Sequence, residues 1–359
     1  MRMYSGQELV RELSQAFGPS GCEDGVRAFI RTQIGASCDG MTEDRAGNLI
    51  VRIAGRGMDY DPAQERRLMV SAHMDEVGFM VREITDEGYL KFSLIGQIDP
   101  RVLCGRHVVV GEENRTVKGV IATKAIHMQT AEERTKATPV NKMYIDIGAK
   151  SAGDAEKLVQ VGDYATFDSD LVPFGKDGRY IKGKALGGRL ACAALIEVIR
   201  YLHASSCELA YDVYFAFTCN REIGISGASV AAFTVNPTLA ILTGATAVND
   251  LPGVSPEARV AALGEGCVLS LADRQTLYDA GLTRFAARCA EEGGIRYQIK
   301  QGDSDTSDGA PLQRSMAGVR TVSLSVPVRY THSAACVASY EDYQALLNLY
   351  KAVICGLKP

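Results

Sequence analysis

Apolar strand-like runs alternate with helical stretches over the second half of the chain, and this alternation restricts the fold more than any other feature. The pattern predicts helices at 189–204, 226–234, 275–292 and 340–356 and strands at 211–218, 238–243, 267–271, 296–300 and 319–326. Such alternation indicates a sheet with many parallel strands and helices on both faces. In that architecture functional residues collect where strands end and loops begin.

The segment before this half has a different texture. Helices are predicted at 5–17 and 23–34 and strands at 48–53 and 68–72, but from 76 to 167 short β-rich runs are separated by glycines and charged turns. A chain of 359 residues exceeds the usual size of a single core. We therefore expect an α/β domain built from residues 1–75 and 168–359, interrupted by a β-rich domain at 76–167.

Charge and hydropathy exclude several kinds of partner. The net charge is −4 with no long run of either sign, which argues against nucleic acid and anionic membranes. No apolar run approaches the ~20 residues that span a bilayer, and the N-terminus lacks the apolar core of a secretory signal. We expect a cytoplasmic protein. Its ten cysteines are scattered, so we expect reduced thiols and no disulfide framework.

Chemically active side chains follow three predicted strands. His73-Met74-Asp75 follows the strand at 68–72, Arg221-Glu222 follows the strand at 211–218, and His332 follows the strand at 319–326. A histidine ligand oriented by a nearby carboxylate is common in metal sites. Convergence of these segments at one sheet edge predicts a metal site. The acidic loop at 302–309 lacks the spacing of a calcium-binding loop, and we interpret it as solvated.

Several segments together resemble the tetrahedral aminopeptidases, a family that includes glutamyl and deblocking aminopeptidases and some proteins catalogued as endoglucanases. The matching segments run in family order over nearly the whole chain: Gly18-Pro19-Ser20-Gly21, Ser71–Phe79, His127–Lys136, Tyr144–Ser151, Val172–Arg189, Arg221–Ala228, Asp250-Leu251-Pro252-Gly253 and Tyr330-Thr331-His332-Ser333.

This resemblance implies a metallopeptidase-like α/β/α sandwich with an inserted β-barrel or PDZ-like dimerisation domain. It implies removal of N-terminal residues from peptides, assembly into hollow dodecamers, and two divalent metals, zinc or cobalt. In the family, one metal takes the histidine of His-x-Asp and an aspartate at a strand end. The other takes the second glutamate of a Glu-Glu pair and a C-terminal histidine. An aspartate bridges both metals, and the first glutamate is the general base.

Four positions match the family pattern. His73, Glu222 and His332 fall on ligand positions, and Asp75 falls on the aspartate of His-x-Asp. The resemblance therefore implies that these residues are what remains of the metal site.

Two ligand positions hold glycine. The bridging aspartate falls on Gly187, whose neighbour Gly188 also replaces an aspartate, and the strand-end ligand falls on Gly244. Glycine supplies neither charge nor a side-chain lone pair. Since loss of groups that merely orient ligands costs 10–100-fold in metal affinity, loss of the ligands should cost more.

The general-base position holds Arg221. Arginine cannot act as a base, and two unit charges about 4 Å apart repel by about 4 kcal/mol at an effective dielectric of ~20. We expect the guanidinium to pair with Glu222 or Asp75 and to fill the space of a metal.

Three interpretations follow. The first is an aminopeptidase-family protein with an incomplete metal site, inactive or strongly impaired, which binds peptides or acts as a scaffold in a homo-oligomer or with an active paralogue. The second is an active enzyme with a single metal on His73, Glu222 and His332, a ligand set that some catalytic zinc sites use. The third is a glycosidase, which would need two facing carboxylates from among Asp75, Glu222 and Asp308.

Overall fold

The computed structural model describes residues 2–112, 115–224, 226–302 and 306–359. The helices found there are α1 (Gly6–Gln15), α2 (Asp24–Ile34), α3 (Ala131–Arg134), α4 (Ala152–Ala155), α5 (Leu186–Ala204), α6 (Arg221–Gly224), α7 (Ser226–Val235), α8 (Ala280–Glu292), α9 (Gly309–Gln313) and α10 (Tyr340–Gly356). Across these residues, no helix is both long and apolar enough to cross a bilayer.

The strands belong to two sheets. They are β1 (Gly40–Glu43), β2 (Leu49–Ile53), β3 (Arg67–His73), β4 (Gly78–Ile84), β5 (Leu90–Ile95), β6 (His107–Glu112), β7 (Arg115–Ala122), β8 (Tyr144–Asp146), β9 (Tyr164–Phe167), β10 (Val172–Phe174), β11 (Tyr180–Gly183), β12 (Asp212–Thr218), β13 (Leu239–Ala247), β14 (Cys267–Ser270), β15 (Tyr297–Ile299), β16 (Arg320–Arg329) and β17 (Cys336–Ser339).

The larger sheet has a parallel centre and antiparallel margins. Its order is β1-β2-β12-β3-β13-β16-β17-β11-β10, with β14 paired to β16 and β15 to β14. Strands β12, β3, β13 and β16 are mutually parallel, whereas β2, β14 and β17 join them antiparallel. The predicted sheet with a parallel core is confirmed, and four short strands, β1, β10, β11 and β17, extend it beyond the prediction.

Both faces of this sheet are buried. Along β3, Leu68, Val70 and Ala72 pack into a core with α1, α2, α5, α8 and α10, and Met69 packs on the opposite face with α7 and α9. A strand buried on both faces has a continuous apolar sequence, which is what β3 shows. The predicted α/β/α sandwich is therefore confirmed.

Strands β4 to β9 close into a barrel of order β4-β5-β8-β7-β6-β9. Its core centres on Phe79, whose ring meets those of Phe92 and Phe167 edge-on at 5.2 Å between centroids. These strands lie inside the stretch 76–167 that the sequence marks as β-rich. The exact domain boundaries, and the dimerising role of the barrel, stay predictions.

A buried lysine ties the barrel to the α/β layers. Lys184 Nζ donates to Glu76 Oε1 at 2.6 Å, to Thr166 Oγ1 at 3.1 Å and to the carbonyl of Ala16 at 3.2 Å. Burial lowers the pKa of Lys184 although the charge of Glu76 raises it. Glu76 lies in the segment that leads from β3 into the barrel, and Thr166 lies in β9, the last strand of the barrel. This cation therefore links the chain where it enters the barrel to the chain where it leaves.

Two local expectations were wrong. The helix predicted at 275–292 begins at Ala280, because the side chain of Asp279 accepts from Leu282 N and caps it there. The cysteines are also not all reduced, since Cys207 and Cys355 form a disulfide between the end of α5 and the end of α10. Their separation of 148 residues hides this proximity from the sequence.

Replacing Glu76 tests the junction. Lys184 and Glu76 side chains are 3% and 2% exposed, so Glu76→Ala leaves a buried ammonium without its counter-charge. We expect a loss of about 3–5 kcal/mol in the free energy of unfolding, measured by urea denaturation. As a control, Asp154→Ala breaks the Lys157–Asp154 pair, whose side chains are 74% and 46% exposed, and should cost less than about 1 kcal/mol. Equal losses in both variants would contradict this account.

Candidate functional site

The parallel strands bring the predicted site residues to one edge of the sheet. In the ladder Thr218 of β12 lies beside His73 of β3, and Gly244 of β13 lies beside Ser325 of β16. Because these strands run in the same direction, the segments that follow them leave at the same edge. This is the convergence that the sequence predicts.

His73 and Asp75 form a buried pair. His73 Nδ1 lies 3.1 Å from the carbonyl oxygen of Asp75 and 3.3 Å from its Oδ1. Asp75 Oδ2 accepts from Ser20 Oγ at 2.5 Å and from the backbone N–H of Glu222 at 2.8 Å. Burial opposes both charges, yet the contact between the two side chains raises the pKa of His73 and lowers that of Asp75.

Two carboxylates hold the segment after β12. Asn220 has a left-handed backbone, with φ +58°, and its N–H donates to Glu23 Oε1 at 2.9 Å. The N–H of Glu222 donates to Asp75, as above. Burial raises the pKa of Glu23 although the bond from Asn220 lowers it. The backbone on either side of residue 221 is thus fixed by acceptors from other parts of the chain.

Arg221 points across the site to the loop before α9. Its Nη2 donates to the carbonyl of Thr306 at 2.6 Å, and its Nε lies 3.1 Å from Asp308 Oδ1. The expectation that the guanidinium pairs with Glu222 or Asp75 was wrong. Those two carboxyl groups already have partners, in His332 and in His73 and Ser20, and the folded loop presents a further one.

The acidic loop at 302–309 is accordingly not solvated throughout, which corrects a second expectation. Asp308 is largely buried at the site, where burial raises its pKa even though Arg221 lowers it. Residues 303–305 of the loop lie outside the described residues. A loop rich in aspartate is expected to be exposed to solvent when only its local sequence is considered. The partner of Asp308, Arg221, is distant in sequence, so the local pattern does not reveal the pairing.

His332 lies on the exposed side of the site. Its Nε2 is 3.4 Å from Glu222 Oε2, and its backbone, like that of Tyr330, has a positive φ, +59° and +55°. Immediately before this turn, Arg329 donates from Nε and Nη2 to the two carboxylate oxygens of Asp250, at 2.6 and 2.7 Å. This paired contact anchors the start of the loop that carries His332.

Two adjoining cavities contain the predicted positions. The outer cavity, of about 190 Å³, lies between the sandwich and the barrel and is lined by His73, Asp75, Gly187, Arg221, Glu222 and His332, among others. The inner cavity, of about 80 Å³, is lined by Gly244 and Asp308. His73 and Arg221 line both. The structure therefore brings together the residues that the sequence placed at the metal site, which are His73, Asp75, Gly187, Arg221, Glu222, Gly244 and His332.

The three glycines of this region differ in the room around them. A Cβ added to Gly187 or Gly244 would meet nothing within 4 Å. A Cβ on Gly188 would lie 2.5 Å from the carbonyl oxygen of His73. Positions 187 and 244 thus have space for a side chain, and position 188 does not.

The residues present do not fit a pair of divalent metals. Across the part of the chain that the structure describes, no three His, Cys, Asp or Glu side chains are grouped so as to hold a metal ion. Gly187 and Gly244 offer no side-chain donor, and Arg221 brings a positive charge into the space between the cavities. The chemistry of this donor set disagrees with the metal centre that the resemblance implies.

Sequence reasoning missed part of the inner cavity. Its wall includes Lys300, Asp273, Tyr278 and Ser307. The strand-end rule could not find Lys300, because β14 and β15 run opposite to the parallel strands. A signal was present nonetheless in β16, where serines alternate with buried valine and leucine, as on a strand with one polar face.

Comparison with known proteins settles the family. The model of the M42 glutamyl aminopeptidase family matches residues 47–349. The chain belongs to this family. A putative aminopeptidase of Acetivibrio thermocellus is 32% identical to this M42 chain over 348 residues, 97% of this chain and 98% of the relative.

Solved structures of M42-like aminopeptidases share the fold. A TET aminopeptidase from a marine sediment Thaumarchaeota archaeon superposes with a TM-score of 0.92 at 31% identity, over 98% of this chain and 96% of that one. The TET1 peptidase of Pyrococcus horikoshii, which can assemble into a tetrahedron or a large octahedral shell, gives 0.84 at 34% identity over 97% and 98%. The resemblance inferred from the motifs is confirmed.

The pairing of Arg221 with Asp308 in this M42 chain can be tested by double substitution. Arg221→Met leaves a largely buried carboxylate uncompensated, and we expect a loss of about 1–3 kcal/mol in stability at neutral pH. Because burial keeps the pKa of Asp308 above its usual value, the loss should shrink as the pH falls and the carboxyl becomes neutral. Arg221→Met with Asp308→Asn should restore most of the stability. Urea denaturation over a pH series measures both effects, and a pH-independent loss without rescue would count against the pair.

Proposed function

We propose that this chain is an inactive or strongly impaired member of the M42 aminopeptidase family that keeps the family's fold and peptide cleft. The observation that carries the proposal is the guanidinium of Arg221, held at the site by Asp308 and Thr306. By resemblance, it stands where the family has its general base.

The ligand positions support the same conclusion. Gly187 and Gly244 correspond, by resemblance, to the bridging aspartate and to a further ligand. The space for both side chains is open, so the fold still accommodates the aspartates, and what is missing is their negative charge. Two dications placed here would have fewer anions to neutralise them and a cation beside them, and electrostatic repulsion disfavours that state.

The remaining residues suit peptide binding better than hydrolysis. Glu222 lies 3.4 Å from His332 in the outer cavity, where its carboxylate can receive the ammonium group of a peptide N-terminus. Peptide hydrolysis also needs a base near the attacking water. Arg221 cannot act as that base at any accessible pH, so we expect peptides to bind without being cut.

Assembly is part of the proposal. The TET1 peptidase of Pyrococcus horikoshii can assemble into a tetrahedron or a large octahedral shell, and we extend self-assembly to this chain. The barrel β4–β9 would act as its dimerisation unit, in a homo-oligomer, a dodecamer by analogy, or in a mixed shell with an active paralogue. In a mixed shell this chain would contribute structure and peptide capture.

The alternative is an active enzyme with one metal on His73, Glu222 and His332. The 3.4 Å contact between Glu222 and His332 favours it. The contact of His73 Nδ1 with Asp75 is also compatible with it, because a carboxylate commonly orients a histidine ligand in this way. Against it, Arg221 lines the cavity beside His73 and brings a positive charge to the place where the metal would bind. Metal analysis separates the two candidates.

The first test is elemental analysis of protein purified without chelator, combined with a panel of aminoacyl substrates. We expect less than one zinc or cobalt per chain and turnover at least about a hundredfold below an active relative, because loss of general-base catalysis alone costs about 10²–10⁴-fold. Two tightly bound metals with ordinary turnover would overturn the proposal. One metal with moderate turnover would favour the alternative.

The second test restores the missing groups. Gly187→Asp, Gly244→Asp and Arg221→Glu together should bring back metal binding and measurable aminopeptidase turnover, because both glycine positions have room for a side chain. The matched control is Gly187→Asn, Gly244→Asn and Arg221→Gln, which has similar shape without the charges and should stay inactive. A triple variant that folds, binds two metals and does not turn over would contradict the assigned roles.

A further inference from the structure

Lys300 lies in the wall of the inner cavity, and no residue that the structure describes supplies a counter-charge to it. The residue is 7% exposed and lines the cavity, yet no hydrogen bond or ion pair joins its ammonium to another residue in the described ranges. A buried charge without a partner is unfavourable. This lysine therefore calls for an anion that the described side chains do not supply.

Arg221 adds unused donors on the neighbouring wall. A guanidinium carries five N–H groups. In Arg221, Nη2 donates to the carbonyl of Thr306, and Nε forms an ion pair with Asp308 at 3.1 Å. The remaining N–H groups make no hydrogen bond or ion pair with the other residues that the structure describes. Arg221 lines both cavities, so these donors lie between the outer cavity and the inner cavity.

Hydroxyl groups and open space complete the lining. Thr246 Oγ1 and Ser325 Oγ are 2.7 Å apart, and since one hydroxyl donates to the other, the second keeps its proton for another acceptor. Gly244 leaves open space beside them. A volume of about 80 Å³ is several times the ~10–15 Å³ that one water needs, which is room for a carboxylate or a phosphate group.

The acidic residues of the cavity already have partners. Asp308 pairs with Arg221. Asp273 accepts from Ser307 Oγ at 2.5 Å, from Tyr278 OH at 2.8 Å and from Gln275 N at 2.8 Å. Their charges are compensated within the cavity, whereas no carboxylate in the described ranges compensates that of Lys300.

We propose that the inner cavity binds a small oxyanion, a carboxylate or a phosphate group, between Lys300 and Arg221 in the open space beside Gly244. This part of the site would then bind an anion, whereas a metal centre binds a cation. The anion would occupy the space that the carboxylate of an aspartate at position 244 would fill. The inference rests on the proposed function in that no metal competes for the space.

The test uses the full chain with inorganic phosphate and, separately, sodium acetate, each compared with sodium chloride at equal ionic strength. Isothermal titration calorimetry measures affinity, and thermal denaturation measures the stabilisation that binding produces. We expect saturable binding of at least one of the two probes. Phosphate binding alone identifies a phosphoryl ligand, and acetate binding alone identifies a carboxylate ligand.

Two variants locate the binding. Lys300→Met removes the ammonium and keeps most of the length of the side chain. We expect an affinity about 10- to 100-fold weaker, the usual range for one charged hydrogen bond. Lys150→Met, at an exposed position near the barrel strand β8, should bind as the wild type does. Gly244→Asp places a tethered carboxylate in the cavity and should abolish the response to both probes while raising the melting temperature.

Anion responses that are equal in the wild type, Lys300→Met and Gly244→Asp would overturn this inference. If neither probe binds, it is overturned as well, and the proposed function still stands when the metal and turnover measurements agree with it. Conversely, ordinary turnover with two bound metals overturns the proposed function, whatever the anions do.

Discussion

The guanidinium of Arg221 and the carboxylate of Asp308 lie 3.1 Å apart where the segments after the parallel strands meet. A charge enclosed by protein interacts more strongly than one in water, so this pair controls which further charges the two cavities can accept. Glu222 and Asp75 have their own partners in His332 and His73. A dication must displace or outweigh the guanidinium, whereas an anion can use donors that are already present.

The scaffold of the site does not depend on the chemistry performed there. Glu23 and Asp75 accept from the backbone on both sides of Arg221, and Arg329 with Asp250 anchors the loop of His332. None of these contacts needs a metal. None of them involves a side chain at position 187 or 244 either, so the geometry around the site does not depend on which residue stands there.

Much of the fold could be predicted, since apolar periodicity and breaker residues are local signals. The strand before His73 and the helices at 189–204 and 340–356 follow from spacing alone. The short strands β1, β10, β11 and β17 were not predicted, because three or four residues carry too little pattern. Such segments form strands only by pairing with neighbouring strands. The late start of α8 at Ala280 depends on the cap of Asp279, and the Cys207–Cys355 disulfide on helices distant in sequence.

The sequence by itself determined the family, the layered α/β plan and the positions that meet at the sheet edge, because motif order and strand alternation are written along the chain. It also determined which side chains are absent, at Gly187 and Gly244. Tertiary structure alone decided that Arg221 pairs with Asp308 and that position 188 has no room for a side chain while 187 and 244 do. It also decided that Lys300 is enclosed with no counter-charge among the residues whose structure is described. Those facts concern distances between segments far apart in sequence, and only the folded packing sets such distances.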